Sequence, residues 1–154
     1  MDIKKMLEAQ KELDKANMEK GWLNEYPLEM MQTAYRVELG ELLQEWKEFK
    51  FWKINKGEIN REKMLEEWAD CMHFALSLEN YWGFELEEDI EYRIKIEECT
   101  SDIYDLCDEC FKANDWVLKY TIALGLKLGY TLEELEKAYW RKNKINWERI
   151  EGGY

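Results

Sequence analysis

Proline occurs once in this chain, at position 27, and glycine only eight times in 154 residues. A sheet protein of this size reverses direction many times, and its turns draw on those two residues. Long helices are what so few breakers permit. Apolar residues make up 46% of the chain and charged residues 36%, a globular composition with enough apolar mass for one core. No linker, low-complexity tract or repeat divides it, so residues 1–154 read as a single domain.

Helical spacing recurs along the chain. A first helix is expected from Ile3 to Met18, with Ile3, Met6, Leu7, Gln10 and Leu13 on one stripe. Lys20 to Pro27 reads as a loop, and Pro27 suits the first turn of the next helix. That second helix is expected over Leu28 to Phe51. Asn60 is an N-cap candidate for a third, Arg61 to Trp82, which Gly83 ends. Glu85 to Lys112 reads as a fourth with a break near Thr100 and Ser101, and Glu85 to Asp89 as its solvated start. A fifth spans Asp115 to Leu128, closed by Gly129. Thr131 and Glu134 form a capping box for a sixth, reaching Lys144 and followed by an irregular tail. The expectation is an all-α bundle of about six helices.

Charge narrows the function classes. Acidic residues number 34 and basic residues 22, for a formal charge of -12. Contact with nucleic-acid phosphates calls for the opposite sign. A small phosphate ligand remains compatible if divalent cations stand between it and the carboxylates. No apolar run has the length of a membrane span, and no secretory signal is evident, so a cytoplasmic protein is expected. Cys71, Cys99, Cys107 and Cys110 should then be reduced. Cys107-x-x-Cys110 admits zinc or redox chemistry. With neither a second such pair nor a second histidine, core or surface cysteines are the plainer reading.

Two acid pairs carry the chemistry. Glu38 and Glu41 lie three residues apart among Ala34, Val37, Leu42 and Trp46. Glu67 and Asp70 do the same among Met64, Leu65, Trp68, Cys71 and Phe74. Such spacing puts each pair on one helix face. A lone E-x-x-E on a Glu-rich helix is ordinarily solvated. Two pairs within the apolar parts of consecutive helices point inward, where mutual repulsion and desolvation make them costly without cations. Mg²⁺ takes oxygen ligands and is commonly completed by substrate phosphates, and two such ions can clamp a phosphoryl group.

The strings ELGELLQEWKEFKFWK (Glu38 to Lys53), EEWADCMHFALS (Glu66 to Ser77) and YWRKNKINWERIEGGY (Tyr139 to Tyr154) together resemble the dimeric dUTPase family. That family belongs to the all-α NTP pyrophosphatase superfamily. The acid pairs are common to the superfamily. The Phe49-Lys50-x-Trp52-Lys53 run, the Asp70-x-x-His73-Phe74 string and the C-terminal Lys-Asn-x-x-Asn-x-x-Arg signature narrow the likeness to dUTPases. The resemblance implies Mg²⁺-dependent hydrolysis of dUTP to dUMP and pyrophosphate, which limits uracil incorporation into DNA. It also implies a homodimer. By position, Glu38, Glu41, Glu67 and Asp70 would hold two or more Mg²⁺ ions, with Glu41 also orienting the attacking water. Lys142, Asn143, Asn146 and Arg149 would contact the nucleotide. Trp52 would border the substrate, with His73 and Phe74 near the base. Gln10 and Asp14 would make uracil and sugar contacts. Taken by itself, His73 reads as a packed core histidine. Two other readings stand beside this one. The first is a related pyrophosphatase acting on another nucleotide such as dCTP. The second is a phage dUTPase-like protein that also binds a transcriptional repressor.

Overall fold

A computed structural model describes residues 1–21, 23–83, 90–114 and 116–153, in which seven helices and no strands are found. They are α1 (Ile3–Lys20), α2 (Leu28–Trp46), α3 (Arg61–Trp82), α4 (Ile90–Thr100), α5 (Ile103–Lys112), α6 (Val117–Lys127) and α7 (Leu132–Glu151). The all-α expectation holds. The solvated start expected over Glu85 to Asp89 lies outside the described residues.

The apolar content of α3 explains its place at the centre. Trp68, Cys71, Met72, Ala75, Leu76 and Leu78 are all buried, so the helix is covered on several sides. α1, α2, α6 and α7 each pack against it, while α6 also receives α4 and α5. The largest buried side chains, Trp68, Tyr35 and Tyr139, carry polar atoms that need partners. Trp68 Nε1 donates to the Thr121 carbonyl at 2.8 Å, and the Tyr35 and Thr121 hydroxyls meet at 2.7 Å. The Tyr139 hydroxyl donates to the Met6 carbonyl at 3.1 Å, joining α7 to α1.

Helix ends follow local chemistry. Asn60 caps α3 by accepting from the Lys63 amide at 3.1 Å, and Gly83 closes it with φ +67°. Thr131 and Glu134 form the expected capping box of α7. The fourth expected segment is two helices. Asp102 accepts from the Tyr104 amide at 2.7 Å and starts α5 afresh, at the expected break.

Two boundaries need correction. α2 stops at Trp46, not Phe51: Lys47 takes a left-handed φ of 63° and its amide caps the Leu43 carbonyl. The turns beyond are held by Lys47 and Lys56 ammonium groups on the Glu58 and Glu48 carbonyls. Phe49 and Phe51 each pack edge-on to Trp52 there instead of extending the core stripe. α7 runs to Glu151, past the expected end at Lys144, because no breaker precedes Gly152.

Cys71, Cys107 and Cys110 are buried, Cys99 is exposed, and all four are free thiols. No described helix is long and apolar enough to cross a membrane.

Candidate active site

α2 and α3 are the most extensively paired helices of the fold, and both acid pairs lie on them. One oxygen each from Glu38, Glu67 and Asp70 lies within 4.8 Å of the other two. Glu41, one turn beyond Glu38, is exposed and stands outside that trio. Burial raises the Glu38 carboxyl to about 7, with the charges of Asp70, Glu41 and Glu67 adding to it. Glu67 rises through burial and the Asp70 charge. Asp70 also rises through burial, against the pull of Lys142, whose ammonium donates to Asp70 Oδ2 at 2.6 Å. Three converging carboxylates that resist ionisation together are a donor set suited to a hard divalent cation, all oxygen, and the charges of Lys142, Lys63 and Arg149 do not offset their burial.

A cavity of about 300 Å³ opens beside the acids. Glu38 and Asp70 form its acidic end. α1 contributes Gln10 and Asp14, α3 contributes His73 and Phe74, and α7 contributes Asn146 and Arg149. Helical spacing accounts for the grouping: His73 and Phe74 follow Asp70 by three and four residues, and Arg149 follows Asn146 by three. Arg149 donates to Asn146 Oδ1 at 3.4 Å.

The inner end is polar and closely bonded. Gln10 Nε2 donates to Asp14 Oδ1 at 2.7 Å, and Gln10 Oε1 lies 2.7 Å from His73 Nδ1. Asp14 also accepts from the Ser77 hydroxyl, which meets the Tyr26 hydroxyl at 2.6 Å. Burial lifts Asp14 to about 6 and lowers His73 to about 3, the latter with help from Lys142. The His73 ring is stacked on Tyr139 at 4.6 Å.

The remaining candidates are placed differently. Lys142 reaches the acids from α7 but lines a neighbouring cavity of about 220 Å³, with Arg149 shared between the two. Asn143 is buried, and its Nδ2, facing the Tyr139 hydroxyl, lacks a partner of hydrogen-bond geometry. Trp52 is 60% exposed in the turns after α2 and does not line the cavity.

Tyr26, Ser77 and Asn17 belong to the surroundings of the site and were not among the sequence candidates. Ser77 lies four residues after His73, and Asn17 three after Asp14, so helical spacing carried a signal for both. Tyr26 sits in the connection before α2, where no periodicity applies.

Comparison with known proteins agrees with the resemblance drawn from the three sequence strings. No curated protein sequence matches this chain. The family model described as dUTPase matches residues 2–154. With an all-α fold and a match over nearly its whole length, the chain belongs to the dUTPase family, whose activity is that of a dUTP diphosphatase.

Proposed function

We propose that this cavity binds dUTP with its base at the Gln10 end and its phosphates at the acidic end, for hydrolysis to dUMP and pyrophosphate. The observation that carries the reading is the two-ended cavity itself, with converging carboxylates at one end and a hydrogen-bonded amide, imidazole and carboxylate at the other. Mg²⁺ held by Glu38, Glu67 and Asp70, with Glu41 at the rim, would supply charge neutralisation and Lewis acidity for the phosphates. Glu41 has the task of orienting the attacking water and taking its proton. Water adds at a phosphorus of the bridge between the first and second phosphates, the bridging P–O bond at that phosphorus breaks, and dUMP and pyrophosphate separate.

Lys142 and Arg149 are the cations available to phosphate oxygens, Arg149 through its fork of donors. Asn146 offers both a donor and an acceptor to a base edge or sugar. Phe74 supplies an apolar wall for the ring. Asn143, buried on α7 beside the Tyr139 hydroxyl, lies behind the cavity wall and would need to move to contact the nucleotide. Trp52 requires movement of its turn, or a second copy of the chain, to border the substrate.

Pyrophosphate release from a panel of deoxynucleoside triphosphates tests this reading. Turnover of dUTP should exceed that of dCTP and dTTP, vanish in excess EDTA and return with Mg²⁺ or Mn²⁺. Full activity in EDTA, or dCTP cleaved as fast as dUTP, would overturn it.

A further inference from the structure

Lys63 stands in the first turn of α3, where the cap residue Asn60 accepts from its amide. Its ammonium lies 2.5 Å from Glu45 Oε1 on α2. Neither residue belongs to the acid trio or lines the cavity. Their place relative to the acids follows from helical spacing. On α2, steps of three and four residues lead from Glu38 to Glu41 and on to Glu45. On α3, the same steps taken backwards lead from Asp70 to Glu67 and on to Lys63. Residues so spaced share one helix face. Glu38 meets Asp70 at one end and Glu45 meets Lys63 at the other, so the two helices run antiparallel and these side chains form a ladder of three rungs. The middle rung, Glu41 with Glu67, lies within reach of both neighbours: their charges act on Glu38 and on Lys63 alike. The first two rungs are wholly acidic, and the third carries the ladder's cation.

We infer that Lys63 is a further substrate-binding residue: it exchanges Glu45 for the terminal phosphate of the bound nucleotide, and so favours a triphosphate over a diphosphate. The inference rests on the dUTP reading of the cavity and extends it beyond the acids.

Direction along the ladder carries the assignment. The cavity opens on the first rung alone, since Glu38 and Asp70 line it and the other four residues do not. A nucleotide with its base at the Gln10 end therefore presents its phosphates to the rungs in order, and the last phosphate comes to the last rung. The helix rises about 10 Å between the first rung and the third, comparable to an extended triphosphate. The cations already placed stand at the near end, Lys142 on Asp70 and Arg149 in the cavity wall. At the far end, Lys47 and Lys50 are taken up by the Glu58 carbonyl and Gln44. Lys63 is the cation held on the face of the ladder itself. Its side chain is 53% exposed, and an ion pair so placed is weak, so giving up Glu45 costs little. A terminal phosphate carries more charge than one carboxylate, and in the first turn of α3 it also meets the positive end of the helix dipole.

Calorimetry in Mg²⁺ with the α,β-imido analogues of dUTP and dUDP, whose bridging nitrogen resists cleavage, tests this. The unsubstituted protein should bind the triphosphate analogue the tighter. Lys63→Met should reduce that preference about 10-fold, the loss of one hydrogen bond to a charged group, while Lys63→Arg should keep most of it. Glu45→Gln frees the ammonium and should keep or increase the preference. An unchanged preference in Lys63→Met, with both analogues weakened equally or not at all, would overturn the inference alone. So would Glu45→Gln reducing the preference as Lys63→Met does, since the pair would then merely brace α2 against α3. Failure of the unsubstituted protein to bind either analogue would defeat the dUTP reading and this inference together.

Discussion

Glu38 shows how one side chain can be costly to the fold and useful to the site. Its folded-state carboxyl titrates near 7, above the ordinary 4.5, so the folded chain holds a proton that the unfolded chain has released. Stability from this group is therefore full below about pH 4.5 and is lost as pH rises towards 7. His73 acts in the opposite sense. Its folded value of about 3 against 6.5 means that stability is lost as pH falls through that window. In EDTA, Glu38→Gln should flatten the decline in Tm between pH 5 and 7.5, as calorimetry would show. A slope identical to that of the unsubstituted protein would mean that the Glu38 charge costs the fold nothing. Asp70→Asn extends the same logic. Turnover should be lost, yet Tm in EDTA should hold or rise, because a buried carboxylate raised by desolvation is removed while Lys142 keeps an oxygen to bond.

At the scale of helices, Gly125 on α6 lies tight against both α3 and α7. A methyl group added at Gly125 would stand 2.6 Å from Trp68 Nε1 and 2.9 Å from Leu135 Cδ1, inside contact distance for both. Trp68 cannot give way without losing its bond to the Thr121 carbonyl. Gly125→Ala should destabilise by about 1–3 kcal/mol, the usual cost of overpacking, and a urea denaturation midpoint would report it. Helices whose ends are marked by a cap, such as α3 at Asn60 and α7 at Thr131, could be read directly from residue types. The end of α2 could not. Phe49, Phe51 and Trp52 continue an apolar run, and only the left-handed Lys47 shows that the backbone has already turned. The acid pairs, Gln10 and Asp14 were legible because spacing on one helix fixes their direction. The convergence of Glu38 with Glu67 and Asp70 depends on how α2 lies against α3, which spacing within either helix does not determine.

For the molecule as a whole, exposed apolar side chains on and just after α2 fit our proposal that the chain forms a homodimer. Phe51 is 87% exposed and Trp52 60%, and Met30 and Val37 on α2 are also exposed. The homodimer expected from the family resemblance would cover such a face, and it is part of our reading of the chain. Light scattering at micromolar concentration should give twice the 18.8 kDa chain mass. A monomer that keeps full activity at every dilution would exclude a shared site.

The cavity draws on both ends of the chain, from Gln10 in α1 to Arg149 in α7. On a ribosome, a nascent chain that has already released all four acids and the whole of α3 still has an open trough where the pocket will be. The wall closes only when the last helix emerges and docks, more than a hundred residues after the first was made. Ordering in that interval waits on the slowest kind of contact, one between sequence-distant segments. Nucleotide binding during synthesis would thus mark the moment at which α7 has emerged and docked.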